Sequence, residues 1–207
     1  MLSEYQRLMW QWQQDEPVLS QGENSHPFGA ELASAYNSYF TEISQQLIAA
    51  IHVNEPAFFE GLIIDVMLAM GYGGRRRDMA KRLGRTGDGG VDGLISLDFL
   101  GLDLVYLQAK RLKPGNVVPI TDVRDFAGSL DAHHTGKGIF VTTSHFSPQA
   151  VDFCARLPRR IALVDGQQFA ELMLRHNIGV HVQASYQFKR IDRDYFRMRS
   201  REPAGPR

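Results

Sequence analysis

The sequence predicts an α/β fold, with a mixed central β-sheet flanked by helices and preceded by an N-terminal helical arm. Two β-like runs, 91–97 and 103–110, are separated by turn-forming residues and are typical of a β-hairpin. Two further apolar runs, 138–143 and 160–165, are each followed by a helical segment, which indicates parallel crossover connections. With 207 residues, the chain suits one domain and an appendage.

We take residues 1–52 as the arm. Residues 4–16 place apolar side chains at helical spacing, and 17–29 are predicted to be a loop or linker. A longer helix is predicted from Glu31, and its wide apolar stripe has to be buried against the body of the protein or against another copy. The stripe consists of Leu32, Tyr36, Tyr39, Phe40, Ile43, Leu47 and Ile51. It is the most favourable place for a dimer contact, although packing within the chain explains it equally well.

A third helix is predicted after Asn54, which can cap it, with Pro56 in the first turn. Glycines from Gly71 onward end it. Its buried face consists of Phe59, Leu62, Ile63, Val66, Met67 and Met70. Glu60 lies at the edge of this face. The spacing leaves two interpretations open: an acid favoured by the helix dipole, or a carboxylate that reaches a neighbouring site.

The remaining elements follow from turn and cap signals. Thr121 is predicted to cap one helix, Ser147 followed by proline to start another, and Gly166 to lead into a third. Residues 180–190 alternate loosely and are interpreted as an additional edge strand. We therefore expect a main domain over 53–196 and a disordered tail over 197–207.

The predicted hairpin carries the candidate catalytic residues. Gln108 and Lys110 share one face of their strand, because strand side chains alternate, and Asp92 meets them there if the two strands pair. Two oxygen ligands beside an ammonium group suit a divalent cation that polarises a phosphodiester and activates water. The alternative is that Asp92 is a turn residue and the other two form a solvated face. The glycine-rich run 87–93 favours a site, because glycine beside a strand permits close approach to the backbone.

The charge distribution indicates a nucleic acid partner. Formal net charge is zero, but residues 1–60 hold eight acids and one arginine, a balance of −7, so the remainder carries +7. Basic residues cluster directly before the glycine-rich run and continue past Lys110. A phosphate-contacting surface is one interpretation and a solvated charge run is the other; Ser144, at a strand end, is either a further phosphate contact or a loop hydrogen bond. The candidate DNA contacts are Arg75, Arg76, Arg77, Arg85, Arg111 and Ser144.

Several classes of protein are excluded. The single cysteine, Cys154, excludes a disulfide framework or a multi-cysteine metal site and fits a reducing cytoplasm. His133 and His134 lack partners at zinc spacing, and no serine-hydrolase elbow, P-loop or dinucleotide fingerprint is present. No apolar run reaches transmembrane length and no signal-peptide pattern opens the chain, so we expect no membrane partner.

Several separated motifs resemble the catalytic domain of the Mrr family of restriction endonucleases over residues 45–196. The runs that carry the resemblance are 59–74 (opening Phe-Glu, closing Met-Gly-Tyr-Gly-Gly), 87–93 (Gly-Asp-Gly-Gly-Val-Asp-Gly), 105–111 (Val-Tyr-Leu-Gln-Ala-Lys-Arg), 138–147 and 163–166. That family is similar to the PD-(D/E)xK nucleases, with Gln replacing the acid of the last motif. The resemblance implies a restriction-endonuclease-like core fold and Mg²⁺-dependent hydrolysis of double-stranded DNA, with Mn²⁺ as an acceptable substitute. It also implies defence against foreign or methylated DNA; the alternative is a DNA-binding or regulatory relative that no longer cuts.

The resemblance assigns roles to four residues. Asp92 is the metal-binding acid, Gln108 is the second ligand through its amide oxygen, Lys110 is the catalytic lysine, and Glu60 is the helix glutamate that completes the site. Because Gln108 is neutral, Mg²⁺ binds weakly unless Glu60, Asp88 or a DNA phosphate adds negative charge. Cutting both strands of a duplex requires two sites, so a homodimer or a higher homo-oligomer is expected.

Overall fold

This computed structural model describes residues 27–75, 80–82, 91–98, 100, 102–133, 135–185, 187, 189 and 191–199. The predicted helix over 4–16 and most of the predicted linker lie outside the described residues. Within the described part of the chain, no helix is long and apolar enough to cross a membrane.

The first described helix, α1 (Pro27–Val53), begins earlier than predicted. Residues 27–29 were expected to belong to a loop, but they form the first turn of α1, where proline is tolerated because the first backbone N–H groups have no partner within the helix. The predicted apolar stripe divides in two. Leu47 and Ile51 are buried in the main core, whereas Tyr36 and Tyr39 are 48% and 58% exposed.

The second helix, α2 (Pro56–Ala69), has the predicted apolar face buried from Phe59 to Met67, whereas Met70 follows the helix and is half-buried. Its N-cap is Glu55 and not Asn54, whose side-chain amide instead donates to the carbonyl of Ala50 at 2.8 Å and so completes the end of α1. Gly71 has a φ of +99°, in the left-handed region that glycine favours, and a short 3₁₀ helix, Tyr72–Arg75, follows. The predicted glycine stop is therefore confirmed.

Seven strands lie in the described residues. They are β1 (Ala80–Arg82), β2 (Gly93–Ser96), β3 (Leu104–Lys110), β4 (Val117–Val118), β5 (Lys137–Thr142), β6 (His145–Phe146) and β7 (Arg160–Val164). The main sheet has the order β1-β2-β3-β5-β7, and β4 pairs with β6 in a separate two-stranded sheet. β2 is antiparallel to both β1 and β3, whereas β3, β5 and β7 are parallel. The predicted hairpin and parallel crossovers are both confirmed.

Four helices complete the described fold: α3 (Ile120–Ala132), α4 (Pro148–Ala155), α5 (Gly166–Arg175) and α6 (Arg193–Arg199). Ser147 caps α4 as predicted, accepting a hydrogen bond from the Ala150 N–H at 3.2 Å. The predicted cap of α3 at Thr121 is wrong: the N-cap position is Pro119, two residues earlier, and the helix has no side-chain cap. No strand forms at 180–185, 187 or 189, so the described positions of the expected edge strand are irregular.

Two hydrophobic cores lie on opposite faces of the main sheet. Leu107 belongs to the core shared with α1, α2 and α5, whereas its neighbour Tyr106 belongs to the core shared with α3 and α4. This alternation follows from the pleat of β3. The structure thus has three layers, with helices on both faces of a mixed sheet. The carboxyl ends of β3 and β5 lie together at one edge, because Lys110 pairs with Thr142.

Candidate active site

Asp92 is held at the start of the hairpin by backbone and side-chain hydrogen bonds. Its N–H donates to the carbonyl of Leu107 at 2.9 Å. Its Oδ2 accepts from the N–H of Ala109 at 2.7 Å and from Nε2 of Gln108 at 2.8 Å. The structure thus brings Asp92 and Gln108 into direct contact. Because both donors approach Oδ2, the other carboxylate oxygen, Oδ1, is the one that suits a cation.

Burial and a neighbouring acid both disfavour the charged form of the Asp92 carboxylate. Burial raises its pKa above the ordinary value, and the Glu60 carboxylate raises it further, while the hydrogen bond from the Ala109 N–H opposes both effects. Glu60, on α2, thus lies close enough to Asp92 for like-charge repulsion. Two neighbouring carboxylates whose proximity is unfavourable are the donor set that a divalent cation stabilises.

Lys110 is engaged by a residue that the sequence analysis did not identify. Its Nζ forms an ion pair with Oδ2 of Asp122, in the first turn of α3. The Lys110 side chain is 37% exposed and that of Asp122 is 20% exposed. By strand alternation, Lys110 lies on the same face of β3 as Gln108. The available signal is the acid in the first turn of the helix that follows the lysine strand, Asp122, which the sequence analysis does not single out.

Two of the predicted DNA contacts bond to backbone carbonyls. Arg111 donates from Nη1 to the carbonyl of His52 at 3.1 Å and to the carbonyl of Asn54, so its guanidinium closes the C-terminal end of α1. The hydroxyl of Ser144 donates to the carbonyl of Asn116. Both side chains therefore have structural partners within the chain, and for Ser144 this is the loop hydrogen bond that the sequence left open.

The predicted basic loop lies largely outside the residues that the structure describes. Arg76, Arg77 and Arg85 lie outside the described residues, as does Asp88. The backbone of Arg75 is in the 3₁₀ helix, but its side chain is not described.

A metal fits the described residues only through a mixed ligand set. No group of three or more His, Cys, Asp or Glu side chains suited to a metal is found in the described ranges. The described candidates are the carboxylates of Asp92 and Glu60 and the amide oxygen of Gln108. All three are oxygen donors, which hard cations such as Mg²⁺ prefer, and burial together with the Glu60 charge raises the pKa of Asp92, as expected where a cation would stabilise the carboxylate.

A helix followed by an antiparallel hairpin and parallel crossovers, with an acid directly before one hairpin strand and Gln-x-Lys on the next, defines the restriction-endonuclease-like class. The family model for the Mrr catalytic domain, described as a restriction endonuclease, matches residues 51–173. The chain therefore belongs to the Mrr family of restriction endonuclease catalytic domains.

Known relatives agree with this assignment. The chain is 43% identical over 141 residues to the type IV methyl-directed restriction enzyme EcoKMrr of Escherichia coli (strain K12), an alignment that covers 68% of this chain and 45% of that protein. The chain thus spans less than half the length of this curated relative.

Two solved structures are similar to the chain. The DNA modification-dependent restriction endonuclease AspBHI superposes with a TM-score of 0.51 at 21% identity, covering 69% of this chain and 35% of that one, which supports the fold. MspJI restriction endonuclease, solved with a 27-mer oligonucleotide, gives a TM-score of 0.49 at 27% identity over 69% of this chain and 33% of that one.

Proposed function

We propose that this chain is the catalytic part of a divalent-metal-dependent endonuclease that cuts double-stranded DNA, in defence against foreign or modified DNA. The observation that carries the proposal is the contact between Asp92 and Gln108, with Lys110 on the same strand face and Glu60 near enough to raise the pKa of Asp92. EcoKMrr, the E. coli relative, is described as methyl-directed, which favours modified DNA as the substrate class.

Three residues of the site are proposed to hold the cation, which is Mg²⁺ or, as a substitute, Mn²⁺. Asp92 and Glu60 supply the negative charge, and Gln108 supplies its amide oxygen. When bound, the metal lowers the pKa of a bound water and polarises the phosphate. The amide of Gln108 has a second role, because its Nε2 orients the Asp92 carboxylate.

Lys110 is proposed to hold the scissile phosphate and to stabilise the negative charge that develops in the transition state. Its ammonium group is paired with Asp122. A phosphate oxygen therefore has to compete with, or share, the Asp122 carboxylate. Asp122 is thus a positioning residue that holds Nζ at the edge of the sheet until DNA arrives.

We propose the domain division expected from the sequence, an arm over 1–52, a catalytic domain over 53–196 and a tail over 197–207. Leu47 and Ile51 are buried in the catalytic core, so the second half of α1 anchors the arm to the domain. α6 continues to Arg199, so the first residues of the proposed tail are helical. Cutting both strands requires two copies, and the exposed tyrosines of α1 provide an apolar surface for such a contact.

The test is plasmid cleavage with and without methylation, in Mg²⁺, Mn²⁺ or EDTA. We expect metal-dependent nicking or linearisation that Asp92→Ala and Lys110→Ala each reduce by about a hundredfold or more. The matched control is Lys137→Ala, because Lys137 is also paired with an aspartate, Asp103, and has a similar exposure of 34%, but lies at the opposite end of the parallel strands.

Loss of cleavage in Lys137→Ala to the same extent as in Lys110→Ala would show a general effect on folding. A wild-type chain that binds DNA but cuts neither plasmid with any divalent metal would favour the alternative, a DNA-binding relative without nuclease activity.

A further inference from the structure

A cavity of about 320 Å³ lies between α1 and the carboxyl ends of the parallel strands. We call it the α1 pocket. Its walls include Phe40, Ser44, Ile48, His52, Pro114 and Thr143, and Gly166 lies at the start of α5. A Cβ at Gly166 would approach the Thr143 carbonyl oxygen to 2.5 Å, so this wall depends on glycine. None of the proposed metal ligands lines the pocket.

Two buried polar atoms in this wall lack hydrogen-bond partners among the described residues: Oγ of Ser44 and Nε2 of His52. Ser44 is only 6% exposed. Elsewhere on α1, the hydroxyls of Ser38 and Thr41 donate to the carbonyls four residues earlier, at 3.0 and 2.9 Å. The Ser44 hydroxyl does not, so its hydrogen-bonding capacity remains for an occupant of the pocket. Buried polar groups are normally paired, and each exception requires an explanation.

The pocket wall carries no ionised side chain within the described residues. The only titratable group there, His52, has its pKa lowered by burial and by the charge of Arg111, so its imidazole is neutral at neutral pH. A neutral imidazole offers one donor and one acceptor. A metal ion would be uncompensated in such a pocket, whereas a neutral ring with polar edges needs no counter-charge.

The pocket is joined to the strand that carries Lys110. The hydroxyl of Thr142 donates to the carbonyl of Lys110 at 2.8 Å. The hydroxyl of Thr143, a wall residue, accepts from the N–H of Leu112 at 3.0 Å and donates to the carbonyl of the same residue at 3.1 Å. Another wall residue, Pro114, lies two residues after Leu112 in the chain. Lys110 and the pocket thus lie at the same edge of the sheet, the edge where ligands commonly bind in α/β folds, with the Lys110 side chain on the face towards α3 and the pocket on the face towards α1.

We propose that the α1 pocket binds a single neutral heterocyclic base, either of a free nucleoside or turned out of the DNA next to the cleavage site. Ser44 and His52 would hydrogen-bond to the edge of the base, while Phe40, Ile48 and Pro114 would pack against its faces. A volume of about 320 Å³ lies at the lower end of ligand pockets, which suits one base and not a dinucleotide. Delivery of the base by DNA rests on the proposed function, whereas base binding itself does not.

The first experiment measures base binding without any nuclease reaction. Deoxyadenosine, deoxycytidine and their N6-methyl and 5-methyl derivatives are titrated into the full chain in EDTA, and the amide shifts of Ile48, His52 and Gly166 are followed by ¹H–¹⁵N NMR. We expect saturable shifts at these amides for at least one base. Ser44→Ala should raise the dissociation constant about fivefold, as expected for one lost hydrogen bond.

The control for Ser44→Ala is Ser38→Ala, which removes a hydroxyl from an exposed position of the same helix and should leave the dissociation constant unchanged. A second variant, His52→Phe, keeps a ring and the backbone carbonyl that Arg111 contacts, and should weaken binding similarly. Shifts that do not saturate for any base, or equal affinities for Ser44→Ala and Ser38→Ala, would mean that water alone occupies the pocket, and the proposal would be wrong.

The second experiment identifies the source of the base. A duplex with one unpaired base is added in EDTA to the complex of the chain with the tightest nucleoside. Displacement of the nucleoside assigns the pocket to a base delivered by DNA, and retention while the duplex is bound assigns it to a free nucleoside. Cleavage is not measured in either experiment, so a failure of base binding and a failure of the nuclease function, which plasmid cleavage tests, are separate outcomes.

Discussion

Gln108 donates a hydrogen bond from Nε2 to Oδ2 of Asp92 at 2.8 Å, across the hairpin formed by β2 and β3. In the PD-(D/E)xK pattern an acid occupies the position of Gln108, and two carboxylates would then face each other. The amide avoids that repulsion and still offers an oxygen. The amide also lowers the negative charge of the proposed metal site, which makes the proposed contribution of Glu60 important.

Gln108→Glu should lower the stability of the metal-free protein and raise its affinity for a metal ion. Without metal, the variant loses a donor to Asp92 and adds a like charge, so we expect the free energy of unfolding to fall by about 1–2 kcal/mol. With Mg²⁺, the added charge should increase the metal-induced rise in melting temperature, measured by thermal denaturation in EDTA and in Mg²⁺.

The matched control is Gln46→Glu, since Gln46 also donates to a carboxylate, that of Glu42 at 3.2 Å, but on the exposed surface of α1. Gln108→Glu would contradict the account if it responded to Mg²⁺ no more strongly than the wild-type chain.

Asp92→Asn should stabilise the metal-free protein at neutral pH. Because burial and Glu60 raise the pKa of Asp92 in the folded state, the favourable contribution of its protonated form is present at acidic pH and is lost as the pH rises through the folded-state pKa. The charged form is therefore unfavourable at neutral pH, and the variant removes that cost.

Urea unfolding of Asp92→Asn and of the wild-type chain in EDTA measures whether the variant has the higher free energy of unfolding. The advantage of the variant should shrink below the ordinary pKa range of aspartate. The ranking should reverse in saturating Mg²⁺, which stabilises only the chain that binds it. A variant that is less stable than the wild type at neutral pH in EDTA would show that the Asp92 carboxylate is a net stabilising group.

Asp122→Asn should strengthen DNA binding. The amide keeps an oxygen to accept from Nζ of Lys110 but removes the charge that competes with phosphate. We expect the dissociation constant for a short duplex in EDTA to fall several-fold at low salt, with a smaller effect at higher salt because of screening. Asp103→Asn, which alters the other lysine–aspartate pair, is the control. Weaker binding by Asp122→Asn would show that its charge is needed to position Lys110.

Arg111→Ala should destabilise the fold more than it weakens DNA binding. The guanidinium contacts the carbonyls of His52 and Asn54 at the end of α1, and losing these bonds should cost about 1–2 kcal/mol of unfolding free energy. Lys113→Ala, at an exposed position two residues further on, should have little effect on stability. If Arg111→Ala changed the slope of log affinity against log salt by the amount expected for about one phosphate contact, Arg111 would be a DNA contact, as the sequence predicted.

The sequence predicts those parts of the fold in which local signals agree with tertiary packing. Ser147 before proline sets a helix start, and the alternation of Tyr106 and Leu107 sends them to opposite cores. Prediction from the sequence fails where another group competes for the residue that gives the local signal: the Asn54 side chain donates to the carbonyl of Ala50 and so does not cap α2. The structure brings Asp92 and Gln108 together as the strand pattern required, but the ion pair of Lys110 with Asp122 depends on how α3 docks, which no local pattern specifies.

The central claim is that Asp92, Gln108 and Glu60 together hold one catalytic cation beside Lys110. Mn²⁺ binding, measured by electron paramagnetic resonance, tests it most directly and does not depend on turnover. We predict one Mn²⁺ per wild-type chain, weaker binding in Glu60→Gln, loss of the site in Asp92→Ala and unchanged binding in Asp103→Ala. Equal Mn²⁺ binding by Asp92→Ala and the wild-type chain would contradict the account.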